Sequence, residues 1–192
     1  QFENIGNETR FVLSYSSVED LKNVILVGTR IYRGFTNFSQ SFGTASSDAD
    51  FTRIDTAFLE RRKSDFEFPN FNAAIFAEKI IRLSPTFSLI PGVRYEYIDT
   101  ESQGFFTNNL RTNSFGDFIE EVRFDTSETR RNIFLYGLGL SKKVNRYEIY
   151  ANATANYRAI NFTDVQIQTN IQVVDTLIKD ESGFSFDLGI RK

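Results

Sequence analysis

Residues Phe87–Asp99 read FSLIPGVRYEYID and alternate apolar side chains with polar or small ones at a period of two. One face of an extended chain then collects the apolar side chains of Phe87, Leu89, Val93, Tyr95 and Tyr97. The stretch exceeds the ~5–6 residues of a typical soluble strand and matches the ~9–11 that a tilted strand needs to cross a bilayer. It therefore predicts a membrane-crossing β-strand.

The same pattern recurs along the chain and predicts seven strands, at Thr9–Ser16, Asn23–Asn37, Asn72–Leu83, Phe87–Thr100, Arg131–Lys142, Tyr147–Arg158 and Gly183–Arg191. The links between these strands are alternately short (Ser17–Lys22, Ser84–Thr86, Lys143–Arg146) and long (Phe38–Phe71, Glu101–Arg130, Ala159–Ser182). Short turns on one side and long loops on the other are typical of outer-membrane barrels. The expected fold is all-β, an antiparallel segment of a transmembrane β-barrel.

Charged side chains assign the two faces of these strands. An Arg on the lipid side at mid-membrane costs roughly 2–4 kcal/mol, so Arg94 and Glu96 are expected to point inward. The same argument places Arg30, Arg158 and Asp187 inward. Alternation alone is also compatible with a soluble barrel that buries its apolar face. The membrane assignment therefore depends on strand length and on the asymmetry of the links.

Composition excludes several classes of function. The chain contains no Cys and no His, which removes thiolate nucleophiles, disulfides, the commonest metal ligand and the commonest general base. No enzyme activity, bound metal or cofactor is expected. The net charge is −3 and the basic residues are scattered, so a nucleic-acid partner is not expected either. The 21 Phe and 8 Tyr suit the aromatic girdles of a membrane barrel.

Two segments resemble the barrel of TonB-dependent outer-membrane receptors. The first is Asn72–Tyr97 (NAAIFAEKIIRLSPTFSLIPGVRYEY), and the second is Tyr136–Arg191, with GLGLSKK, YANATANYRAINFTD and VVDTLIKDESGFSFDLGIR. Val27–Asn37, Ser47–Phe51 and Asp65–Ala74 add similarity to the ferric-citrate-type branch of that family in Bacteroidetes-like bacteria. The resemblance spans most of the chain and is weakest in the long links.

The resemblance implies a barrel of about 22 strands with an N-terminal plug in its lumen. Such receptors import iron chelates with energy from a TonB-type protein that contacts the plug. About seven strands cannot enclose so wide a lumen, and nothing in the sequence resembles the plug. We therefore expect residues 1–192 to be part of one barrel domain, embedded in outer-membrane lipid, with the plug and the remaining strands outside this chain.

The inward charges are the first candidates for a functional site. Arg30, Arg94, Glu96, Arg158 and Asp187 are positioned to line the path of an anionic iron chelate, because Arg binds carboxylates through paired hydrogen bonds. The alternative is a network in the lumen wall that contacts the plug.

The long links supply the second set of candidates. Arg61 and Arg62 are expected on an extracellular loop, where they would attract an anionic chelate or lipid phosphates. Phe105 and Phe106 are expected on the next loop, where they would clasp a ligand from above. Surface solubility and packing between loops are the respective alternatives.

Three functions follow from these observations. The first is a TonB-dependent importer of a ferric siderophore or ferric citrate, which acts by binding and plug displacement. The second is a passive or adhesin-like outer-membrane barrel. The third is a soluble β-sandwich binding module, which predicts that the rows Phe134, Tyr136, Leu138 and Phe184, Phe186, Leu188 are buried in one core.

Overall fold

The computed structural model describes residues 1–16, 21–41, 62–112, 118–160 and 179–192. The described residues contain no helix that is long and apolar enough to span a membrane. The strands, in chain order, are β1 (Phe2–Ser16), β2 (Lys22–Ser41), β3 (Arg62–Ser84), β4 (Phe87–Thr112), β5 (Phe118–Val144), β6 (Tyr147–Arg158) and β7 (Glu181–Arg191). The prediction of an all-β chain with seven strands is confirmed.

The strands form one antiparallel sheet in which each strand pairs with its neighbours in the sequence, in the order β1 to β7. The ladder between β4 and β5 is long and runs from Phe87↔Lys142 to Thr112↔Phe118. The ladder between β5 and β6 is short and ends at Gly137↔Thr154. Within the described ranges β1 and β7 each pair on one side only, so the sheet is open, as expected for a segment of a barrel wall.

Two tight turns lie at the same end of the sheet. Pro85–Thr86 joins β3 to β4, and Asn145–Arg146 joins β5 to β6. Asn145 has a φ of 55°, a left-handed conformation that Asn tolerates better than most residues. We call this the turn end of the sheet and the opposite end the outer end. In outer-membrane barrels the short turns face the periplasm.

The predicted long loops Phe38–Phe71 and Glu101–Arg130 are wrong over much of their length. Residues 62–71 belong to β3, and residues 101–112 and 118–130 continue β4 and β5. The β4–β5 ladder continues there in the same register, for example at Ser102↔Ser127, until the register shifts between Asn109 and Arg111. Polar residues occur at both odd and even positions of these extensions. The alternation of apolar and polar residues ends where the apolar band ends. Backbone hydrogen bonds between strands do not require that alternation, so the strands continue beyond it.

The two faces of the sheet differ in polarity. One face carries large apolar side chains that stay exposed, including Tyr95 (46%), Phe134 (61%) and Leu188 (81%). Among the described residues the buried apolar side chains are few, namely Phe66, Ala74, Phe105 and Ile133. A soluble sandwich would bury Phe134 and Phe184 in a core between two sheets. The single sheet with exposed rings contradicts that alternative.

We call the exposed apolar face the apolar band. It includes Ile25–Ile31 on β2, Leu89–Tyr97 on β4, Phe134–Leu140 on β5 and Phe184–Ile190 on β7, counting alternate residues of each range. Such a band is the surface that a barrel presents to the lipid hydrocarbon.

Candidate functional site

The candidate site is the polar face, opposite the apolar band. In a β-sheet, residues paired across a ladder lie on the same face, and so do alternate residues of one strand. By this rule the ladder registers place five predicted residues on the polar face: Arg30, Arg94, Glu96, Arg158 and Asp187. The predicted inward set therefore shares one side of the sheet. Its role in ligand passage remains a prediction.

Arg94 and Glu96 form the centre of this face. Nε of Arg94 donates to Oε2 of Glu96 at 2.8 Å, and Nδ2 of Asn72 on β3 donates to Oε1 of the same carboxylate. The Arg94 and Glu96 side chains are only 26% and 16% exposed. Partial burial strengthens such charge-assisted hydrogen bonds, so the three side chains form one fixed polar cluster.

Arg30 lies near this cluster without joining it. One ladder row runs from Glu8 through Arg30 and Ala74 to Glu96. Ala74 is the small residue between Arg30 and the Glu96 carboxylate, and it is buried. Arg30 itself is exposed and forms no ion pair with another described residue. Among the described residues Arg30 is therefore a guanidinium without a direct ion-pair partner, in a row that also holds Glu8 and Glu96.

A neighbouring row explains the position of Arg94. Gly28, Phe76 and Arg94 are consecutive partners on β2, β3 and β4. The Phe76 ring lies over Gly28, where a Cβ atom would come within 2.6 Å of Cε2 of that ring. The Arg94 guanidinium in turn lies 5.6 Å from the ring centroid, a cation–π arrangement. Because Gly28 has no side chain, the Phe76 ring can lie over it. The Arg94 guanidinium then packs against that ring.

A groove of about 580 Å³ follows the polar face beside this row. Its lining extends from Arg10 on β1 through Phe76 and Arg94 to Thr154 on β6. Side chains from strands so far apart border one groove only if the sheet curves toward this face. The polar face is therefore concave, as the wall of an aqueous lumen requires.

Arg158 and Asp187 belong to a separate part of the face. Nη1 of Arg158 lies 3.5 Å from Oε2 of Glu181, and Asp187 is the ladder partner of Asn152. Both pairs lie on the β6–β7 hairpin. The structure therefore brings Arg94 and Glu96 together but does not bring Arg158 or Asp187 to them.

The expected loop residues are placed differently from the prediction. Phe105 and Phe106 lie within β4, not on a loop; Phe105 is buried and its ring centroid lies 5.9 Å from that of Phe124 on β5. Phe105 thus packs against a neighbouring segment, which was the alternative to a ligand contact for these rings. Arg62 begins β3, whereas Arg61 lies outside the described residues. A role of these residues in ligand capture remains a prediction.

Sequence reasoning missed a cluster at the outer end of the gap between β5 and β6. Nε of Arg131 lies 2.8 Å from Oδ2 of Asp180 and the Tyr157 hydroxyl donates to the same oxygen at 2.5 Å, while the Ile160 N–H donates to Oδ1 at 3.0 Å. Arg131 also donates to Thr100 of β4 at 3.0 Å. The cluster joins the β6–β7 hairpin to β5 beyond the point where their ladder ends.

Asp180 is charged in this cluster under ordinary conditions. Burial by itself disfavours the carboxylate, but the hydrogen bonds from Tyr157, Ile160 and Arg131 outweigh it and lower the pKa of Asp180 below its usual value. The sequence did not indicate this cluster, because Asp180 precedes β7 and lies outside the segments that alternate apolar and polar residues.

Comparison with known proteins agrees with this geometry. A family model described as "TonB dependent receptor-like, beta-barrel" matches residues 3–191. None of the curated proteins matches the chain. The matched range covers every strand of the sheet, including the concave polar face and the apolar band. The chain belongs to the TonB-dependent receptor-like β-barrel family, whose members are outer-membrane transporters of Gram-negative bacteria.

Proposed function

We propose that this chain forms part of the barrel wall of a receptor that imports an anionic iron chelate, a ferric siderophore or ferric citrate. The observation that carries the proposal is the family match over residues 3–191. The sequence similarity to the ferric-citrate-type branch in Bacteroidetes-like bacteria supports the choice of cargo.

The charges of the polar face support an anionic ligand. Arg30 is exposed without an ion pair to a described residue, and Arg10, 60% exposed, pairs with Glu8 among the described residues. Arg94 lies on β4, between β3 and β5, on the same concave face. Guanidinium groups bind carboxylate and phosphate groups through paired hydrogen bonds. Arg10 and Arg94 pair with Glu8 and Glu96 on this face, so Arg30 is the guanidinium that an anion in the lumen would meet without an ion-pair partner among the described residues.

We also propose that further strands and a plug complete the receptor. A sheet edge within lipid leaves backbone N–H and C=O groups without partners, which is not tolerated. The edges of β1 and β7 therefore require neighbouring strands. A plug in the lumen contacts the Arg94–Glu96 cluster and responds to a TonB-type coupling protein in the periplasm.

The test is uptake of radioactive ferric citrate by cells that lack the receptor gene and carry it on a plasmid. The variant Arg30→Gln is expected to lower uptake severalfold at limiting ligand, because it removes an exposed guanidinium from the polar face. Arg33→Gln is the matched control, since Arg33 is also exposed on β2 but points to the opposite face.

Three outcomes contradict the proposal. Uptake that is unchanged by deletion of the gene excludes this chelate as cargo. Uptake that continues without the TonB-type protein favours the passive barrel. Equal effects of Arg30→Gln and Arg33→Gln show that the polar face does not guide the ligand.

A further inference from the structure

The turn end of the polar face carries a group of basic side chains. Arg82 on β3 begins a ladder row that continues through Ser88, Ser141, Tyr150 and Gly189 to β7. The next row toward the turns holds Lys143, Glu148 and Arg191. Both rows lie on the polar face, because ladder partners share a face and so do alternate residues of one strand. With Arg146 of the β5–β6 turn, the basic residues of this end are Arg82, Lys143, Arg146 and Arg191, which we call the turn-end cations.

The carboxylate among these cations is already occupied. Glu148 is the one acidic residue in the two described rows. Nε of Arg191 donates to Oε2 of Glu148 at 2.8 Å, and the Ser141 hydroxyl donates to Oε1 at 2.5 Å. The other three turn-end cations are exposed and form no ion pair within the described part of the chain: Arg82, Lys143 and Arg146. Their guanidinium and ammonium groups are open to an anion from outside the sheet.

The rest of the polar face pairs most of its charges. Four cations nearer the outer end each form an ion pair with a carboxylate: Arg10, Arg94, Arg131 and Arg158. Arg30 forms none among the described residues, but its row also holds Glu8 and Glu96. The excess of positive charge is therefore concentrated at the turn end, which faces the periplasm in outer-membrane barrels.

The turn-end cations extend over a distance that exceeds the size of a small anion. Arg82 and Arg191 lie on β3 and β7, four strands apart. Neighbouring strands are about 4.8 Å apart, so the cations extend over about 19 Å of the concave wall. An extended polypeptide advances about 3.3 Å per residue, so about six residues cover this distance.

We propose that the turn-end cations bind an acidic, extended polypeptide segment at the periplasmic mouth of the lumen. Carboxylates spaced along such a segment reach cations on β3, β5 and β7, where one small anion reaches only a part of them. Between these cations the row holds Ser88 and Ser141, whose small side chains leave room for a polypeptide. The surface faces away from the apolar band, which favours a partner in water over a lipid. The inference depends on the orientation of the barrel and not on its cargo, so it can fail independently of the uptake test.

The experiment places the photo-reactive residue p-benzoylphenylalanine at position 88 of the full-length receptor in intact cells. Ser88 lies on β4 between Arg82 and Ser141, among the turn-end cations. After irradiation, mass spectrometry identifies the segment that is cross-linked and counts its Asp and Glu residues. Position 89 is the matched control, because Leu89 follows Ser88 on β4 and points to the opposite face.

A double variant then tests the role of charge. Arg82→Gln with Lys143→Gln is expected to lower the yield of the cross-link at position 88 about fivefold, as expected for the loss of two exposed ion pairs. The control is Arg33→Gln with Lys142→Gln, which removes two exposed cations of the opposite face and should leave the yield unchanged. In outer-membrane vesicles with the wild-type receptor, the yield should fall as ionic strength rises, since salt screens exposed charges.

An acidic segment whose cross-linking falls in the double variant and at high salt supports the proposal. The absence of a cross-linked polypeptide at position 88 overturns it, as does a segment without carboxylates. Capture of Glu19 or Asp20 from the β1–β2 link of this chain also overturns it, because no separate segment is then needed. Equal yields from the two double variants, or a yield that does not depend on salt, contradict the role of the turn-end cations.

Discussion

Arg94 and Glu96 form an ion pair along one strand, with Nε of Arg94 2.8 Å from Oε2 of Glu96. Residues two apart on a strand project from the same face, so the pair fixes a cation and an anion side by side on the concave wall. Asn72 on β3 adds a hydrogen bond to the same carboxylate. The pair therefore also links β4 to β3 through side chains, in addition to the backbone ladder.

The first prediction concerns the charge of this pair. Glu96→Gln keeps a hydrogen-bond acceptor for Asn72 but leaves the partly buried Arg94 guanidinium without its counter-charge. We expect a loss of about 1–2 kcal/mol in the free energy of unfolding, measured by urea titration of the receptor in detergent. The control is Glu8→Gln, since the Arg10 partner of Glu8 is 60% exposed. Equal losses for both variants contradict the special role of the Glu96 cluster.

A second prediction tests the packing of Phe76 on Gly28. Gly28→Ala brings a Cβ atom within 2.6 Å of the ring and 2.9 Å of the Thr9 carbonyl oxygen. The ring must move, and Arg94 loses its position above it, at an expected cost of about 1–3 kcal/mol. Gly183→Ala is the control, because nothing lies within 4 Å of a Cβ atom there. Thermal loss of the heat-modifiable form measures both, and a stable Gly28→Ala variant contradicts the argument.

The alternation of β4 illustrates how much of the fold follows from the sequence. Each membrane-crossing strand has apolar residues on one face because lipid contacts only that face, and this period of two identifies all seven strands. The outer parts of β4 and β5 carry polar residues at both odd and even positions, so their sequence shows no such period. Their pairing, for example Phe105↔Phe124, depends on the partner strand, which a single sequence does not specify.

The site was predictable to a similar extent. Parity along each strand places Arg30, Arg94 and Glu96 on one face, and the registers agree. Which of these side chains touch depends on the stagger between strands, and here Ala74 separates Arg30 from Glu96. The Arg131–Asp180 pair joins residues 49 positions apart, and no local pattern indicates such a contact.

A third prediction tests the assignment of the faces. Leu138 is 45% exposed within the apolar band, so Leu138→Arg places a charge in the hydrocarbon at a cost of roughly 2–4 kcal/mol. The neighbouring strand provides the control, Asn152→Arg, which faces the aqueous lumen. We expect little folded receptor in the outer membrane for the first variant and near-normal amounts for the second, measured by immunoblot of unheated samples. The reverse result would place the apolar band inside the protein.

The final prediction concerns Asp180 and pH. Burial opposes the charge of Asp180, but the hydrogen bonds from Tyr157, Ile160 and Arg131 hold its pKa below the ordinary value. A carboxyl whose pKa is lower in the folded state stabilises the fold above the unfolded pKa of about 3.9, and this contribution disappears as pH falls through the folded-state value. Asp180→Asn is expected to cost about 1–3 kcal/mol at pH 7, because Arg131, 10% exposed, loses its counter-charge.

The same variant should lose less stability on acidification than the wild type, because it has no carboxylate to protonate at this position. Melting temperatures measured from neutral pH down to about pH 3 test this difference. Asp125→Asn is the control, since Asp125 is exposed on β5. This variant should show the same fall of melting temperature at low pH as the wild type. If the melting temperatures of the wild type and Asp180→Asn fall equally with decreasing pH, the Asp180 cluster does not hold the β6–β7 hairpin against β5.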